Sequence, residues 1–499
     1  MNTASIASRP CIRAAGIALL AAAASLFMFT PSFVTWRGLN IPELAADPAL
    51  NRAADALRQL QDPFLRPDSP TDRVIAWRLF FPLLGHALRL PPALYLALPH
   101  LGCLLVLFLV ARILLSCGLG GWESLAATTI AATCSWFFVS TGWLAYFDSW
   151  YVLGLLLVAF SPGRRWAVAA ILVAPWIDER FVLTLPLCLA IRARCQAAFG
   201  TPRSPRELRS DWALFGAALL PWVAVRLGAF ALGHDSVTGL YLREQTPARN
   251  IRFYAAGLWQ GLRWAWVFVL AWLARERRAG APRAAALGLL LGASVAVNLV
   301  AANDLSRSVS IVLPAAIIGI LLWHRSEPAR VRAFLFAACG LNLVFPARHV
   351  VGDWTEPIFY WHTELDNARH PPQLLDPRYY VQQGAALNSA RDPSGAVRRF
   401  GIALALDPGN AEALADRAVS YYQLGRSGEA LADADRAVLL QPHSADALYV
   451  RGIVRAGRGD AAGGLLDLEQ ALRDGPPDWP GRSQALRNIG DLRTRLEAR

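Results

Sequence analysis

The most constraining feature of this sequence is a run of three ionisable residues, Asp178-Glu179-Arg180, between two short apolar runs. The runs Trp166–Ile177 and Phe181–Ile191 each hold about a dozen residues, or roughly 18 Å of helix at 1.5 Å per residue. A bilayer core of roughly 30 Å needs about 20 residues. Ionisable groups at its centre would each cost roughly 2.5–3.5 kcal/mol on insertion scales. The stretch therefore predicts a functional site rather than an ordinary span.

Flanking arginines indicate that the two runs form a hairpin. Arg164 and Arg165 precede the first run, and five arginines follow the second: Arg192, Arg194, Arg203, Arg206 and Arg209. Both flanks match cytoplasmic loops under the positive-inside rule, so an even number of crossings lies between them. We predict two short helices that meet at an acidic tip near the outer surface. Non-helical backbone at that depth is tolerated beside a water-filled cavity, so the tip is expected to line one. The alternative is that Glu179 and Arg180 pair structurally.

Composition indicates a polytopic membrane protein. The chain has 499 residues, 55% of them hydrophobic, and a mean hydropathy of +0.33. Its net charge is +12, and all 49 basic residues are arginine. Because the arginines concentrate in short loops between apolar runs, they indicate topology rather than nucleic-acid binding. The lysine-free, alanine-rich composition is typical of a GC-rich bacterial genome, so we expect a bacterial inner-membrane protein.

Eleven membrane segments are expected, counting each half of the hairpin, with the N-terminus cytoplasmic and the C-terminus outside. Besides the hairpin halves they are Ala14–Val34, Ala93–Arg112, Glu123–Thr141, Tyr146–Phe160, Trp212–Leu232, Tyr254–Leu273, Ala284–Ala302, Ser308–Trp323 and Ala333–Phe345. The fold class predicted for residues 1–345 is therefore an all-α transmembrane bundle. Asp148 is expected to be hydrated near the outer interface. Arg263 lies within a span, where it either snorkels or faces the bundle interior.

A long exported loop, residues 36–90, carries further candidate groups. Asp62, Asp68 and Asp72 stand among prolines that break helix. The following stretch, Val74–Leu90, mixes apolar residues with Arg78 and predicts a helix lying on the outer surface.

A second outer turn lies at residues 303–308. Asp304 and Arg307 are spaced to pair across one helical turn. An ordinary interfacial ion pair is the alternative, because exposed pairs are common and weak.

Residues 346–376 are predicted to be a linker, and an internal repeat follows. Three units of 34 residues run Pro377–Asn410, Ala411–Ser444 and Ala445–Asp478. Small residues recur where paired helices would cross, namely Ala396, Ala430 and Gly464, and prolines end the units at Pro408, Pro442 and Pro476. This pattern resembles the tetratricopeptide repeat. Residues 377–499 are therefore expected to form an α-solenoid of three repeats with a terminal capping helix.

An Asp-x-Asp pattern inside the second unit is a candidate that we reject as a nucleotide-sugar site. Asp433 and Asp435 flank a core position of the second repeat helix, so a solvated helix face is expected.

The membrane half resembles integral-membrane glycosyltransferases of the GT-C class. The likeness rests on the long acidic first loop, the interfacial helix, the hairpin followed by Leu183 and Pro186, and the Asp/Arg turn before Pro314. Together with exported repeats, the layout resembles the transmembrane-and-tetratricopeptide O-mannosyltransferases. One departure is the first loop, where that family often has an Asp-Glu dyad or Asp-x-Asp and this chain has isolated aspartates.

The resemblance implies sugar transfer from a polyprenyl-phosphate donor on the outer face, with the repeats presenting an acceptor or protein partner. An acceptor hydroxyl needs a carboxylate base, and a leaving phosphate suits arginine. Predicted catalytic residues are Asp72, Glu179 and Asp178. Predicted substrate-binding residues are Arg78, Arg180, Asp304 and Arg307. No residue is assigned as a metal ligand, and a divalent metal ion is the one candidate cofactor.

Two other functions fit the same sequence. One is a non-catalytic, membrane-anchored repeat scaffold for envelope proteins, and the other is a polysaccharide polymerase or transporter. Convergence of Asp72, Glu179 and Arg307 in one outer cavity would favour the enzyme.

Overall fold

The computed structural model describes residues 3–29, 51–65, 77–200, 204–231, 247–301, 304–351, 354–358, 369 and 375–498. The described residues divide into two compact units, of which the first holds residues 3–29 and 52–358 and the second holds residues 51, 369 and 375–498. Both units are mainly helical, which agrees with the predicted all-α fold class. The first unit also contains a two-stranded sheet.

The first unit is built from helices of very unequal length. They are α1 (Thr3–Met28), α2 (Asn51–Gln61), α3 (Phe80–Ala87), α4 (Pro92–Ser116), α5 (Gly121–Ala132), α6 (Ser135–Gly142), α7 (Asp148–Phe160), α8 (Arg164–Val173), α9 (Arg180–Phe199), α10 (Pro205–Ala231), α11 (Pro247–Leu262), α12 (Trp266–Ala279), α13 (Ala281–Ala301), α14 (Leu305–Val309), α15 (Leu313–Ser326) and α16 (Pro328–Val344). Short 3-10 turns join α8 to the hairpin tip, α11 to α12 and α14 to α15.

Six helical segments of the described residues are long and apolar enough to cross a membrane. They are Pro10–Met28, Pro92–Ser116, Arg180–Phe199, Arg209–Ala231, Ala281–Val300 and Leu305–Ser326. Helices α5 and α6 together would add a seventh, although they meet at a bend of 65°. The helices are compatible with a multi-pass membrane protein, but they do not support the predicted count of eleven segments.

The difference arises because several predicted spans fold as shorter helices. Helix α7 has 13 residues, α8 has 10, α12 has 14 and α16 has 17. At 1.5 Å per residue they measure about 15–26 Å, less than a hydrocarbon core of roughly 30 Å. The predicted span Tyr254–Leu273 is interrupted at Arg263, whose φ of +52° ends α11.

The chain reverses direction at the acidic tip, as the flanking charges predicted. Helices α7 and α9 run side by side: Arg180 contacts Asp148 where both helices begin, and Arg192 donates to the Val158 carbonyl 3.0 Å away where α7 ends. Helix α8 starts from that second end, where Gly163 O accepts a hydrogen bond from Arg192 at 3.3 Å. It therefore runs towards the tip, and α9 returns from it.

The two arms of this hairpin are unequal, which corrects the prediction of two half-length helices. Helix α8 has 10 residues, but α9 continues past Ile191 to Phe199 and has 20. Helix α9 continues through Arg192. The guanidinium group of Arg192 is buried, and it donates to carbonyl oxygens at and just beyond the end of α7. Gly154 of α7 lets both arms approach: a Cβ there would lie 3.0 Å from Ala174 and 3.2 Å from Phe181.

The sheet lies within the predicted linker 346–376. Strands β1 (Ala347–Val351) and β2 (Trp354–Ile358) pair antiparallel, with Ala347 opposite Ile358. The β1 strand packs on the first unit, since the Val350 N–H donates to Ser306 Oγ at 3.1 Å. Part of the predicted linker is therefore a structural element of the first unit.

The second unit consists of paired helices with the predicted 34-residue period. They are α17 (Pro377–Ser389), α18 (Pro393–Leu406), α19 (Ala411–Gln423), α20 (Ser427–Leu440), α21 (Ala445–Gly457), α22 (Ala461–Asp474) and the terminal α23 (Arg482–Glu497). The predicted crossing residues Ala396 and Ala430 are fully buried, and a Cβ on Gly464 would lie 2.7 Å from Gly452 O. Ile489 and Leu492 of α23 pack on Leu468, so α23 covers the last pair as a cap.

Asp433 is not on a solvated face, so that expectation was wrong. It is 9% exposed and binds both Nε and Nη2 of Arg417, at 2.7 and 3.0 Å. The same device recurs 34 residues later between Arg451 and Asp467. Asp435 is the solvated member of the Asp-x-Asp pattern, with its side chain 48% exposed.

Candidate active site

The hairpin tip holds a bidentate ion pair between near neighbours in sequence. Arg180 Nε lies 2.8 Å from Asp178 Oδ1, and Arg180 Nη2 lies 2.7 Å from Asp178 Oδ2. The Arg180 backbone N–H also donates to Asp178 Oδ1 at 3.0 Å. The Asp178 carboxylate therefore binds both the backbone and the side chain of Arg180 and orients its guanidinium group. Both residues are buried, at 2% and 6% exposure.

Asp148 joins the tip to the outer turn predicted at residues 303–308. Its Oδ1 lies 2.9 Å from Arg180 Nη2, and its Oδ2 lies 3.3 Å from Arg307 Nη1. The Tyr151 hydroxyl donates a third hydrogen bond to Asp148, at 2.9 Å. Asp148 is only 1% exposed, so the prediction that it is hydrated was wrong. A carboxylate shared by two arginines is desolvated because the two cations replace its water.

The outer turn has the predicted Asp304–Arg307 pair, but it is buried rather than interfacial. Asp304 is the N-cap of α14, where its Oδ1 accepts from the Arg307 backbone N–H at 3.2 Å. Its Oδ2 lies 3.0 Å from Arg307 Nε, forming an ion pair. The Arg307 guanidinium group also lies over the ring of Tyr146, 4.7 Å from its centroid.

A histidine from β1 completes this side of the cluster. His349 Nε2 lies 3.3 Å from Asp304 Oδ2, and His349 Nδ1 lies 3.4 Å from Ser306 Oγ. Burial lowers the pKa of His349, although Asp304 opposes the shift. The ring packs against Trp143, with centroids 4.5 Å apart. Nothing in the sequence marked His349, because its partner is 45 positions away and it lies in a predicted linker.

Arg78 and Glu179 form the most accessible edge of the cluster. Arg78 Nη2 lies 2.9 Å from Asp178 Oδ2 and 3.5 Å from Glu179 Oε1. The Glu179 side chain is 33% exposed, whereas those of Asp148 and Asp178 are each 2% exposed. Glu179 is therefore the cluster carboxylate that a substrate can reach most easily.

The charge cluster, defined as Arg78, Asp148, Asp178, Glu179, Arg180, Asp304 and Arg307, thus unites all the predicted site residues except Asp72. Ser308 adds a hydroxyl that accepts from Arg180 Nη1 at 3.2 Å. Asp72 and Asp68 lie outside the described residues. Asp62 is exposed and accepts a hydrogen bond from the Phe64 N–H at 3.1 Å. The predicted convergence with Asp72 therefore stays a prediction.

A small cavity of about 20 Å³, lined mainly by apolar side chains, borders the cluster. Its lining includes Gln59 from α2, Arg78, Tyr95, Phe147 and Asp178. A cavity of this size with polar groups on its wall can hold one water molecule. The lining brings Gln59 and Arg78 of the first loop next to Ile177 and Asp178 of the hairpin tip.

The donor set of the cluster does not fit a divalent metal ion. Among the described residues, no group of three or more His, Cys, Asp and Glu side chains could hold one. The buried carboxylates Asp148, Asp178 and Asp304 each already bind a guanidinium group. We therefore derive no chemical step through a metal.

Comparisons with known proteins identify no family for this chain. No protein-family model matches it. No curated protein matches it. Among solved structures, a match is found to the TPR2AB domain:pHSP90 complex of yeast Sti1, at 13% identity over 66% of this chain and 90% of that one. Its TM-score of 0.22 is too low to support a conclusion about fold or ligand.

Proposed function

We propose that this protein is a membrane glycosyltransferase that moves a sugar from a polyprenyl-phosphate donor to an acceptor on the outer face of a bacterial inner membrane. The observation that carries the proposal is the position of Glu179, an accessible carboxylate on the rim of a buried charge cluster. Burying so many charges is expensive unless they are paired, and such clusters concentrate at functional sites.

The proposed chemistry uses Glu179 as the general base. Glu179 takes the proton from the acceptor hydroxyl as the oxygen attacks the anomeric carbon, and the bond from that carbon to the donor phosphate oxygen breaks. Arg78 is the cation nearest to Glu179 and would stabilise the departing lipid phosphate. Asp178 is assigned a positioning role instead of the catalytic role suggested by the sequence, because Arg78 and Arg180 occupy its oxygen atoms.

The second unit would present the acceptor or a protein partner. Its paired helices and capping helix form a repeat stack, an architecture that offers extended binding surfaces. We propose that this unit lies outside the cytoplasm with the active site.

One observation favours a non-catalytic scaffold instead. Arg78, Arg180 and Arg307 are all engaged by carboxylates, so none of them is available to a phosphate without rearrangement. In that alternative the charge cluster fastens the hairpin, the outer turn and β1 together. The repeats would then carry the whole function.

The two functions are separated by assaying purified full-length protein in lipid nanodiscs with radiolabelled polyprenyl-phosphate sugars and envelope extracts as acceptors. The enzyme proposal predicts labelled acceptor and released polyprenyl phosphate in equal amounts. Absence of both products with a panel of hexose donors, together with capture of specific envelope proteins by the full chain, would support the scaffold.

A further inference from the structure

A second buried cation lies away from the charge cluster, at the break between α11 and α12. Arg263 begins the three-residue 3-10 turn that joins these helices, and it is 1% exposed. Its φ of +52° is in the left-handed region, which a non-glycine residue adopts at an energetic cost. The sequence left open whether Arg263 snorkels or faces the interior, and it faces the interior.

Arg263 has too few partners for a buried guanidinium group. Its Nη2 donates to the carbonyl oxygen of Phe345, and the guanidinium carbon lies 5.1 Å from the centroid of the Phe29 ring. Its Nη1 is buried and has no hydrogen-bond acceptor. Among the described residues, no carboxylate lies within ion-pair distance of Arg263. Buried charges are otherwise paired, so this arrangement indicates a missing anionic group.

Arg192, another buried arginine of the same unit, has more backbone acceptors than Arg263. It donates to the carbonyls of Val158, Ser161 and Gly163 at 3.0, 2.8 and 3.3 Å. Val158 lies in the last turn of α7 and Ser161 directly follows it, where helix polarity favours a cation. Arg263 has one backbone acceptor among the described residues, whereas Arg192 has three. The guanidinium group of Arg263 is therefore the less completely hydrogen-bonded of the two.

Asn342, which contacts the residue next to Arg263, already has partners for both of its amide atoms. Asn342 Oδ1 accepts from the Trp264 N–H at 3.2 Å, and its Nδ2 donates to Thr133 Oγ1 at 2.9 Å. The residue that supplies the single acceptor, Phe345, is 53% exposed, and the adjacent Val344 is 71% exposed. An exposed apolar margin of this kind in a membrane protein faces lipid, so an approaching ligand is expected to be amphiphilic.

We propose that Arg263 binds the phosphate group of an anionic membrane lipid, which approaches across the apolar margin at Val344 and Phe345. The phosphate oxygens would accept from Nη1, and the acyl chains would lie on the exposed apolar residues. This site does not depend on the proposed glycosyl transfer. Free inorganic phosphate offers the same oxygen atoms as the lipid phosphate but has no acyl chains. A response to the lipid and not to inorganic phosphate therefore identifies a lipid site.

The test measures thermal unfolding of the full chain in phosphatidylcholine nanodiscs, with phosphatidylglycerol or inorganic phosphate added. We expect phosphatidylglycerol to raise the melting temperature of the wild type, and Arg263→Gln to weaken its binding about 10-fold to 100-fold, the range of a charge-assisted hydrogen bond. Arg263→Lys should retain part of the affinity.

Arg192→Gln, the matched control, should lower stability but leave the phosphatidylglycerol response intact. An equal response in Arg263→Gln, or stabilisation by inorganic phosphate alone, would overturn the lipid site.

A measurement on the wild type keeps the proposal testable if Arg263→Gln does not fold. Native mass spectrometry of the gently extracted protein should show at least one retained anionic phospholipid. Removing that lipid should lower the melting temperature, and phosphatidylglycerol should restore it. Complete delipidation with an unchanged melting temperature would refute the site.

Discussion

Asp148 Oδ1 lies 2.9 Å from Arg180 Nη2, although 32 positions separate the two residues. This contact fixes the start of α7 against the start of α9, and the same carboxylate reaches Arg307 on a third segment. Removing one partner from a buried ion network leaves the others uncompensated, which costs about 3–5 kcal/mol. Asp148 is therefore expected to be structurally indispensable.

We predict that Asp148→Asn lowers the stability of the first unit by about 3–5 kcal/mol, because two buried arginines lose their shared counterion. Thermal unfolding in detergent, followed by intrinsic tryptophan fluorescence, measures the change. Asp62→Asn is the control, since Asp62 is exposed and should change stability by less than about 0.5 kcal/mol. Equal melting temperatures for the wild type and Asp148→Asn would show that the network contributes nothing to the fold.

A second prediction concerns the ion pair that recurs in the repeats. Arg451 and Asp467 form two hydrogen bonds of 2.9 and 2.7 Å, and Asp467 is 4% exposed. A double-mutant cycle with Arg451→Met and Asp467→Leu should give a coupling energy of about 0.5–3 kcal/mol. Hydrogen exchange of amides in α21 and α22 reads out the local stability. Strictly additive effects of the two substitutions would rule out the coupling.

The third prediction is a pH dependence of the second unit. Burial, then the nearby Glu412 and Asp446 carboxylates, raise the pKa of Asp416 from 3.8 to about 6. The folded state therefore binds more protons than the unfolded state between about pH 4 and pH 6, so stability falls as pH rises through that window. Hydrogen exchange of α19 at pH 4 to 7 should show this loss.

Asp416→Asn should remove most of that dependence and raise stability at pH 7 by on the order of 1–2 kcal/mol, after discounting for partial exposure. The exposed Asp491→Asn serves as the control and should leave the profile unchanged. A profile for Asp416→Asn that parallels the wild type would assign the effect to another group.

Topology supplies the fourth prediction. If the N-terminus is cytoplasmic and the repeats are exported, alkaline phosphatase fused after Glu497 should be active, because that enzyme matures only outside the cytoplasm. A fluorescent protein that folds only in the cytoplasm should be dark at the same position. The opposite pair of results would place the repeats in the cytosol and remove the basis for an outer-face enzyme.

Local features of the sequence predicted much of this fold. The reversal at Asp178 was predicted from the arginines that flank both short apolar runs, and the helical repeats from a regular 34-residue period. Both signals lie within a few tens of residues and need no knowledge of the tertiary structure.

Long-range pairing set the limit on what could be predicted. Asp148 contacts Arg307 across 159 positions, and an acidic residue beside aromatic neighbours gives no indication of a buried partner so distant. His349 lies in the site because a short strand, β1, forms within the predicted linker and places it beside Asp304. The predicted number of membrane segments was not supported for a related reason. Apolar runs of similar composition form either long spans or shorter helices according to their packing, and α7 and α16 are examples of the shorter kind.

The assignment of Glu179 as the base is tested most directly by the rate of sugar transfer from polyprenyl-phosphate donors by purified wild type and Glu179→Gln in nanodiscs. We expect Glu179→Gln to lower the rate by about 10²–10⁴-fold, as for loss of a general base, and to leave the melting temperature within about 1 °C. Glu497→Gln, at the exposed end of α23, should transfer sugar at the wild-type rate. An active wild type whose rate of sugar transfer is unaffected by Glu179→Gln would show that Glu179 is not the general base.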